Sequence, residues 1–181
     1  MNTIDFFKVA FKDYKVGAIS PSSKYLVKKV INEVSGNEKC ILEYGAGSGV
    51  VTKSLLNKLE KDSLIYAAEI NPDFARVLGE IKDTRLKIIK DDVLNVRYFM
   101  DQYKLIYPDL VISSIPLTFF NREEREKLVK DTESVINQNG KFVIFQYSTL
   151  ILPVLKKYFK KVKVSYEARN FPPCFIMTAY K

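Results

Sequence analysis

The stretch LEYGAGSGV, Leu42 to Val50, limits what this chain can fold into more than any other. An apolar run ends in Glu43, glycines follow at Gly45, Gly47 and Gly49, and a helical pattern begins at once. Glycines at this spacing allow a tight turn and let a ligand approach the backbone closely. A dinucleotide fold wants G-x-G-x-x-G/A, whose third small residue lets the helix pack close and offer its N-terminus to a pyrophosphate. Counted from Gly45, that place holds Val50, so a pyrophosphate site is disfavoured. About twenty residues beyond the turn, a second apolar run ends in Glu69, an acid placed to accept hydrogen bonds from ribose hydroxyls.

The rest of the chain repeats this rhythm. CILEY, SLIYAAEI, RLKIIKDD, DLVISSI and GKFVIFQYS read as strands. Between them lie helical patterns in SGVVTKSLLNKLEK, NPDFARVLGEIK, Val96 to Tyr103, and NREEREKLVKDTESVINQ, the last capped by Asn121. Alternation of this kind predicts a parallel, doubly wound α/β sheet. The tail differs: KKVKVSYEARN and CFIMTAY, separated by FPP, read as two neighbouring antiparallel strands. No element is assigned between Ser148 and Lys160. Ahead of the sheet, Ile4, Phe7, Phe11 and Tyr14 recur at helical spacing beside lysines. A second helix follows in GAISPSSKYLVKKVINEV, with Ser20 or Ser22 as N-cap and Pro21 near its first turn. The expectation is a single domain over residues 1–181, with residues 1–36 as an N-terminal helical cap.

Composition narrows the chemistry. Without a histidine, His-based triads and ordinary zinc sites are out, and the two cysteines, Cys40 and Cys174, show no metal-ligand or redox spacing. No metal is expected. No apolar run nears the ~20 residues that cross a bilayer. The opening MNTIDFFKVAFKDYKV is broken by Asp5, Lys8, Lys12 and Asp13, unlike a signal peptide. A cytoplasmic setting is expected. A formal net charge of +8 suits a polyanion, either nucleic acid or an anionic membrane, and equally a lysine-rich solubilising surface.

The E-x-G-x-G-x-G spacing resembles motif I of class I S-adenosylmethionine-dependent methyltransferases. That resemblance implies a Rossmann-like fold: a seven-stranded, mostly parallel sheet with an antiparallel last strand and helices on both faces. It also implies site positions. Glu43 would lie near the methionine moiety with Gly45 and Gly47 beneath it, and Glu69 and the adjoining Ile70 would lie at the ribose. Asp92, with Asp91 as second choice, would contact the adenine, with Val93 beside the ring. The bland alternative for each acid is a solvated strand end.

The acceptor side is read from SSIPLTFF, after the fourth strand. Adenine-N6 methyltransferases, including the ribosomal RNA dimethylases, carry Asn/Asp-x-Pro-aromatic there, to hold the exocyclic amine and stack on a flipped base. Aligned on Pro116, this chain has Ser114 and Leu117 in the polar and aromatic places, with Phe119 and Phe120 further along either to stack or to serve as core or pocket wall. Together, VGAISPSS, SSIPL, EINPDF and RNFPPCF resemble the small bacterial phospholipid N-methyltransferases, which methylate phosphatidylethanolamine towards phosphatidylcholine. The resemblance implies a lipid amine acceptor. Ser22, Ser23 and Lys24 would hold a phosphodiester at a helix N-terminus, or simply cap that helix. Arg169 would pair with the lipid phosphate, or with a surface acid such as Glu167. Leu117 would border the substrate, and Ser114 and Pro116 would form the reacting site, with Ser114 also against the cofactor. A proton acceptor would come from Tyr14, Tyr25, Tyr147 or water relayed through Ser114. Tyr147 would also offer a ring face to an ammonium group, or serve only in packing. The N-terminal segment, aromatic and flanked by lysines, would sit at the inner face of a membrane, or cover the mouth of the site. An RNA adenine methyltransferase is the second reading, and a non-enzymatic cofactor-binding module the third.

Overall fold

The computed structural model describes residues 22–181. The predicted first helix with Tyr14, the capping candidate Ser20, and Pro21 lie outside the described residues. The described chain runs α1 (Lys24–Asn32), β1 (Cys40–Tyr44), α2 (Val50–Lys58), β2 (Leu64–Ala68), α3 (Pro72–Leu78), β3 (Leu86–Ile89), a 3₁₀ turn (Val93–Asn95) and α4 (Val96–Gln102). It continues through β4 (Leu110–Ser113), a second 3₁₀ turn (Leu117–Phe119), α5 (Arg122–Val135), β5 (Lys141–Gln146), α6 (Leu152–Tyr158), β6 (Lys161–Glu167) and β7 (Cys174–Tyr180). The strands form one seven-stranded sheet in the order β3-β2-β1-β4-β5-β7-β6. Pairings among β1 to β5 are parallel, and β7 is antiparallel to both β5 and β6. This is the class I methyltransferase sheet that the sequence implies.

Strand β1 is buried along its whole length, as a central parallel strand covered on both faces must be. Side chains alternate across it. Leu42 and Tyr44 face a core built with Val96, Phe99, Leu128, Val129 and Leu155 of α4, α5 and α6. Ile41 faces the opposite core, with Leu26 and Val30 of α1 and Val51 and Leu55 of α2. Helices therefore cover both faces. Strand order reverses between β1 and β4, so loops leave this carboxyl edge in opposite directions and open a crevice.

Of the serines the sequence offers as caps, Ser23 is the N-cap of α1: its Oγ accepts from Leu26 N–H at 3.2 Å. Helix α6 carries no sequence assignment because Pro153 interrupts its apolar run; Pro153 sits in the first turn, where the missing N–H costs nothing. Its buried stripe, Ile151, Leu155 and Phe159, has regular helical spacing. Asn121 caps α5 as expected and forms a capping box: its Oδ1 accepts from Glu124 N–H at 2.9 Å, and Glu124 Oε2 accepts from Asn121 N–H at 2.8 Å. Asn121→Ala should cost about 1 kcal/mol of stability, measurable by denaturant unfolding.

Candidate functional site

The cleft lies at the carboxyl ends of β1 to β5, and its floor is the glycine turn after β1. Gly45 and Gly47 take φ of +69° and +55°, in the left-handed region. At Gly45 a Cβ would stand 2.7 Å from Ile115 Cγ1, so the turn runs hard against the exit of β4. Its N–H donates to Ala68 O at 2.9 Å. Glu69 completes the join: Oε2 accepts from Gly47 N–H and Oε1 from Asn71 N–H, each at 2.8 Å. One buried carboxyl thus ties the turn after β1 to the start of α3. Burial pushes its pKa up, and the backbone donors oppose that.

The other acids follow the same edge. Glu43 is buried on the α1/α2 side and its Oε2 accepts from Thr52 Oγ1 at 2.6 Å. Burial raises its carboxyl to about 8, Thr52 opposes this, and the charge of Glu69 adds to it. Asp92 Oδ1 accepts from Leu94 N–H at 2.9 Å and starts the first 3₁₀ turn; burial pushes its pKa up as well. Asp91 Oδ1 accepts from Asp92 N–H at 2.7 Å. Glu43, Gly45, Gly47, Glu69, Ile70, Asp91, Asp92 and Val93 all line the cleft.

On the far wall stand Ser114, Pro116 and Tyr147, with Ser22 also in the lining. Ser114 Oγ donates to Gly45 O at 2.6 Å, which commits the hydroxyl proton and leaves the oxygen able only to accept. A relay of a proton through Ser114 would have to turn that hydroxyl away from Gly45 O. Tyr147 is 41 % exposed, and its phenol is pushed up by desolvation, away from phenolate at neutral pH. Leu117 does not border the cleft: its side chain is fully buried in the core beneath the turn.

Ser23, Lys24, Tyr25 and Arg169 do not line the cleft. Ser23 is engaged in capping, and its N–H donates to Asn170 Oδ1 at 2.9 Å. Lys24, Tyr25 and Arg169 share a shallow outer groove with Lys28, Lys29 and Glu167. Arg169 pairs with Glu167 through Nε–Oε1 at 2.7 Å and Nη2–Oε2 at 2.9 Å, and its guanidinium stacks over the Tyr25 ring at 4.5 Å. The guanidinium is held by an acid two residues away, which the sequence reading named as the alternative.

Two residues escaped the sequence reading. Gln146 ends β5 in the cleft wall, and buried Asn170 joins Ser23 to the β6–β7 turn by donating through Nδ2 to Pro172 O at 2.7 Å. The signal for Gln146 was available: a single polar residue ending the apolar run KFVIF at the carboxyl edge.

No Lys or Arg lines the cleft among the described residues, whereas four carboxyls do. That donor set suits a cationic ligand carrying a diol. Glu69 keeps unused lone pairs for hydroxyls, the strained glycine turn leaves its backbone open, and Ile70, Phe74 and Val93 supply apolar surface for a flat ring. The residues present therefore fit S-adenosylmethionine. Among the described residues no group of three or more His, Cys, Asp or Glu could hold a metal ion. Nor is any described helix long and apolar enough to cross a membrane.

Comparisons with known proteins agree with this geometry. Residues 22–145 match the family model described as ribosomal RNA adenine dimethylase. An ornithine lipid N-methyltransferase of Singulisphaera acidiphila is 28% identical over 93% of this chain and 92% of its own length. Ribosomal RNA small subunit methyltransferase A of Mycoplasmopsis synoviae is 27% identical over 87% of this chain, which spans only 54% of that protein. Among solved structures, Burkholderia thailandensis 1,6-didemethyltoxoflavin-N1-methyltransferase, with bound substrate and S-adenosylhomocysteine, superposes with a TM-score of 0.72. That similarity covers 98% of this chain and 85% of the other at 14% identity, and it bears on the fold alone.

The raised Glu43 carboxyl gives a test with a definite sign. The folded protein keeps a proton there that the unfolded chain loses from the ordinary value of 4.5 upward, until about 8. Stability from this group is present at low pH and is lost as pH rises through that window. Glu43→Gln keeps an oxygen for Thr52. Its stability relative to wild type should rise across the window by on the order of a few kcal/mol, then level off. Denaturant titrations of the ligand-free proteins check this; a pH-independent difference would contradict it.

Proposed function

From the premise that this chain belongs to the ribosomal RNA adenine dimethylase family and is an S-adenosylmethionine-dependent methyltransferase, we propose that it methylates the amine headgroup of a membrane lipid. The observation that carries the reading is the turn after β4. In the place of a base-gripping amide stands Ser114, whose proton is given to Gly45 O; in the place of a stacking aromatic stands Leu117, buried in the core. Neither device for a flat heterocycle is present at its position. The similarity of nearly the whole chain to an ornithine lipid N-methyltransferase supports the same choice. So does the rim: Phe171 is 87 % exposed on the β6–β7 turn, and Leu150 and Tyr147 are half-exposed after β5, all at the carboxyl edge. Lys24 and Lys28 of α1 line the outer groove with Arg169 and would meet anionic headgroups. A protein so placed would work peripherally, at the inner face of the membrane.

Phosphatidylethanolamine and ornithine lipid share a primary amine, but only the first has a phosphodiester. Because no cation lines the described cleft, a phosphate would stay outside it, near the lysines of α1.

When bound, the cofactor supplies an electrophilic methyl carbon on a sulfonium. Glu69 would accept from the ribose hydroxyls and Asp92, or Asp91, from the adenine amine, with Ile70 and Val93 against the rings. Glu43 would face the methionine end, and Gly45 and Gly47 would let the backbone approach. On the acceptor side, Pro116 and Ile115 exclude water, and the Ser114 oxygen can accept from an amine N–H. The attacking amine must be the free base, so the ammonium proton leaves to solvent at the mouth. Tyr147, its phenol pushed up, would give a ring face to the product cation rather than take that proton.

The family match and the likeness to a ribosomal RNA methyltransferase favour adenine in RNA as the second reading. One experiment separates the two. Purified protein and methyl-labelled cofactor are offered phosphatidylethanolamine vesicles, ornithine lipid vesicles and unmodified ribosomal RNA in separate reactions. Label is expected in a lipid extract; label in RNA alone overturns the proposal. For the cofactor side, Glu69→Ala should weaken S-adenosylmethionine binding about ten- to a hundredfold, read by calorimetry. An unchanged affinity would remove the ribose role.

A further inference from the structure

We propose that Gln146 is a positioning residue that fixes the acceptor wall of the cleft by holding two loops at one distance. Its side chain is buried at the last residue of β5. Oε1 accepts from Leu117 N–H at 3.2 Å, and Nε2 donates to Ser148 O at 2.9 Å. Leu117 N–H is the first donor of the 3₁₀ turn Leu117–Phe119, so it has no carbonyl of that turn to meet. A buried backbone donor of this kind must find a partner elsewhere, and a strand-end glutamine supplies it. The second bond goes to the loop after β5, where Ser148 Oγ in turn accepts from Leu150 N–H at 3.1 Å. One amide therefore couples Pro116 and Leu117 on one side to Tyr147, Ser148 and Leu150 on the other.

The consequence is geometric. With Leu117 N–H pinned, the Leu117 side chain is directed into the core, and Pro116 is left as the surface of the wall. Ser114, bonded to Gly45 O, fixes the near end of the same loop to the cofactor turn. The loop is thus held at both ends, by Ser114 towards the donor side and by Gln146 towards the acceptor side. Release of the second anchor alone leaves the glycine turn and Glu69 untouched, so it changes how the acceptor is presented and not how the cofactor is bound. Misplacement of a reacting group by about 1 Å can cost on the order of a hundredfold in rate. The catalytic half of this inference rests on the methyltransferase reading above; the structural half does not.

Two variants of the full chain test it. Gln146→Met keeps the shape and removes both bonds. Gln146→Glu keeps an oxygen for Leu117 N–H and regains a donor towards Ser148 O only when its carboxyl is protonated. For Gln146→Met, we expect faster hydrogen exchange at the Leu117 amide and kcat about ten- to a hundredfold lower, with cofactor affinity within about twofold of wild type. For Gln146→Glu, the activity relative to wild type should rise as pH falls, while Leu117 stays protected. Unchanged Leu117 exchange in Gln146→Met overturns the inference, and so does a loss of cofactor affinity as large as the loss of kcat. If Gln146→Met does not fold, a flat pH ratio for Gln146→Glu overturns it instead. Wild-type protein inert towards both lipids and RNA would defeat the proposed function, and Leu117 exchange alone would then decide this inference.

Discussion

The carboxyl of Glu69, held between Gly47 N–H and Asn71 N–H, is the contact on which the rest of the cleft depends. It converts two adjacent strand ends into one surface. Without it the glycine turn, which carries three left-handed residues and packs against Ile115, would be tied to β2 only through Ala68 O, which accepts from Gly45 N–H and Ala46 N–H. Buried charge of this kind is stable only when its hydrogen bonds are made, and here backbone donors make them. The same bonds leave part of the carboxylate's acceptor capacity unused.

From that anchor the site extends by hydrogen bonds rather than by bulk. Ser114 carries the link from the glycine turn to the β4 loop, and Gln146 carries it on to the β5 loop. Asn170 does the corresponding work for α1, tying Ser23 to the β6–β7 turn. All three contacts use backbone groups at strand ends or a helix start, which the regular ladders leave unpaired. This is why the loops of an α/β sheet can be tightly placed and still differ freely in side chain.

Much of this was legible in the sequence, and the reasons differ between levels. All seven strands and the cofactor turn follow from apolar period, glycine spacing and an acid at each of three strand ends, because backbone sterics and burial act locally. Helix α6 was missed because Pro153 reads as a breaker unless its place in the first turn is known. Leu117 was misassigned because alignment on Pro116 gives sequence order, whereas the direction of a side chain is set by a distant partner, Gln146. Arg169 was drawn towards a phosphate by its charge; proximity to Glu167 decides its pairing. Local patterns mark strand ends well. They say little about which groups meet across strand ends.

The distribution of charge inside the cleft points to the same acceptor chemistry from another direction. The carboxyls that line it stand at the ends of β1, β2 and β3, and none among the described residues stands at the ends of β4, β5 or β7. A carboxylate beside an amine stabilises the ammonium form and so withholds the lone pair that must attack. A wall made of Ser114, Pro116, Gln146 and Tyr147 lacks that effect and favours the free base. In the proposed reaction, positive charge would move with the methyl from the acid-lined half to the half lined by hydroxyl, amide and ring faces, which would hold a quaternising nitrogen without hydrogen-bond donors on it. The chain's formal net charge of +8 coexists with an acid-lined cleft, so the surplus of basic side chains lies away from the described lining.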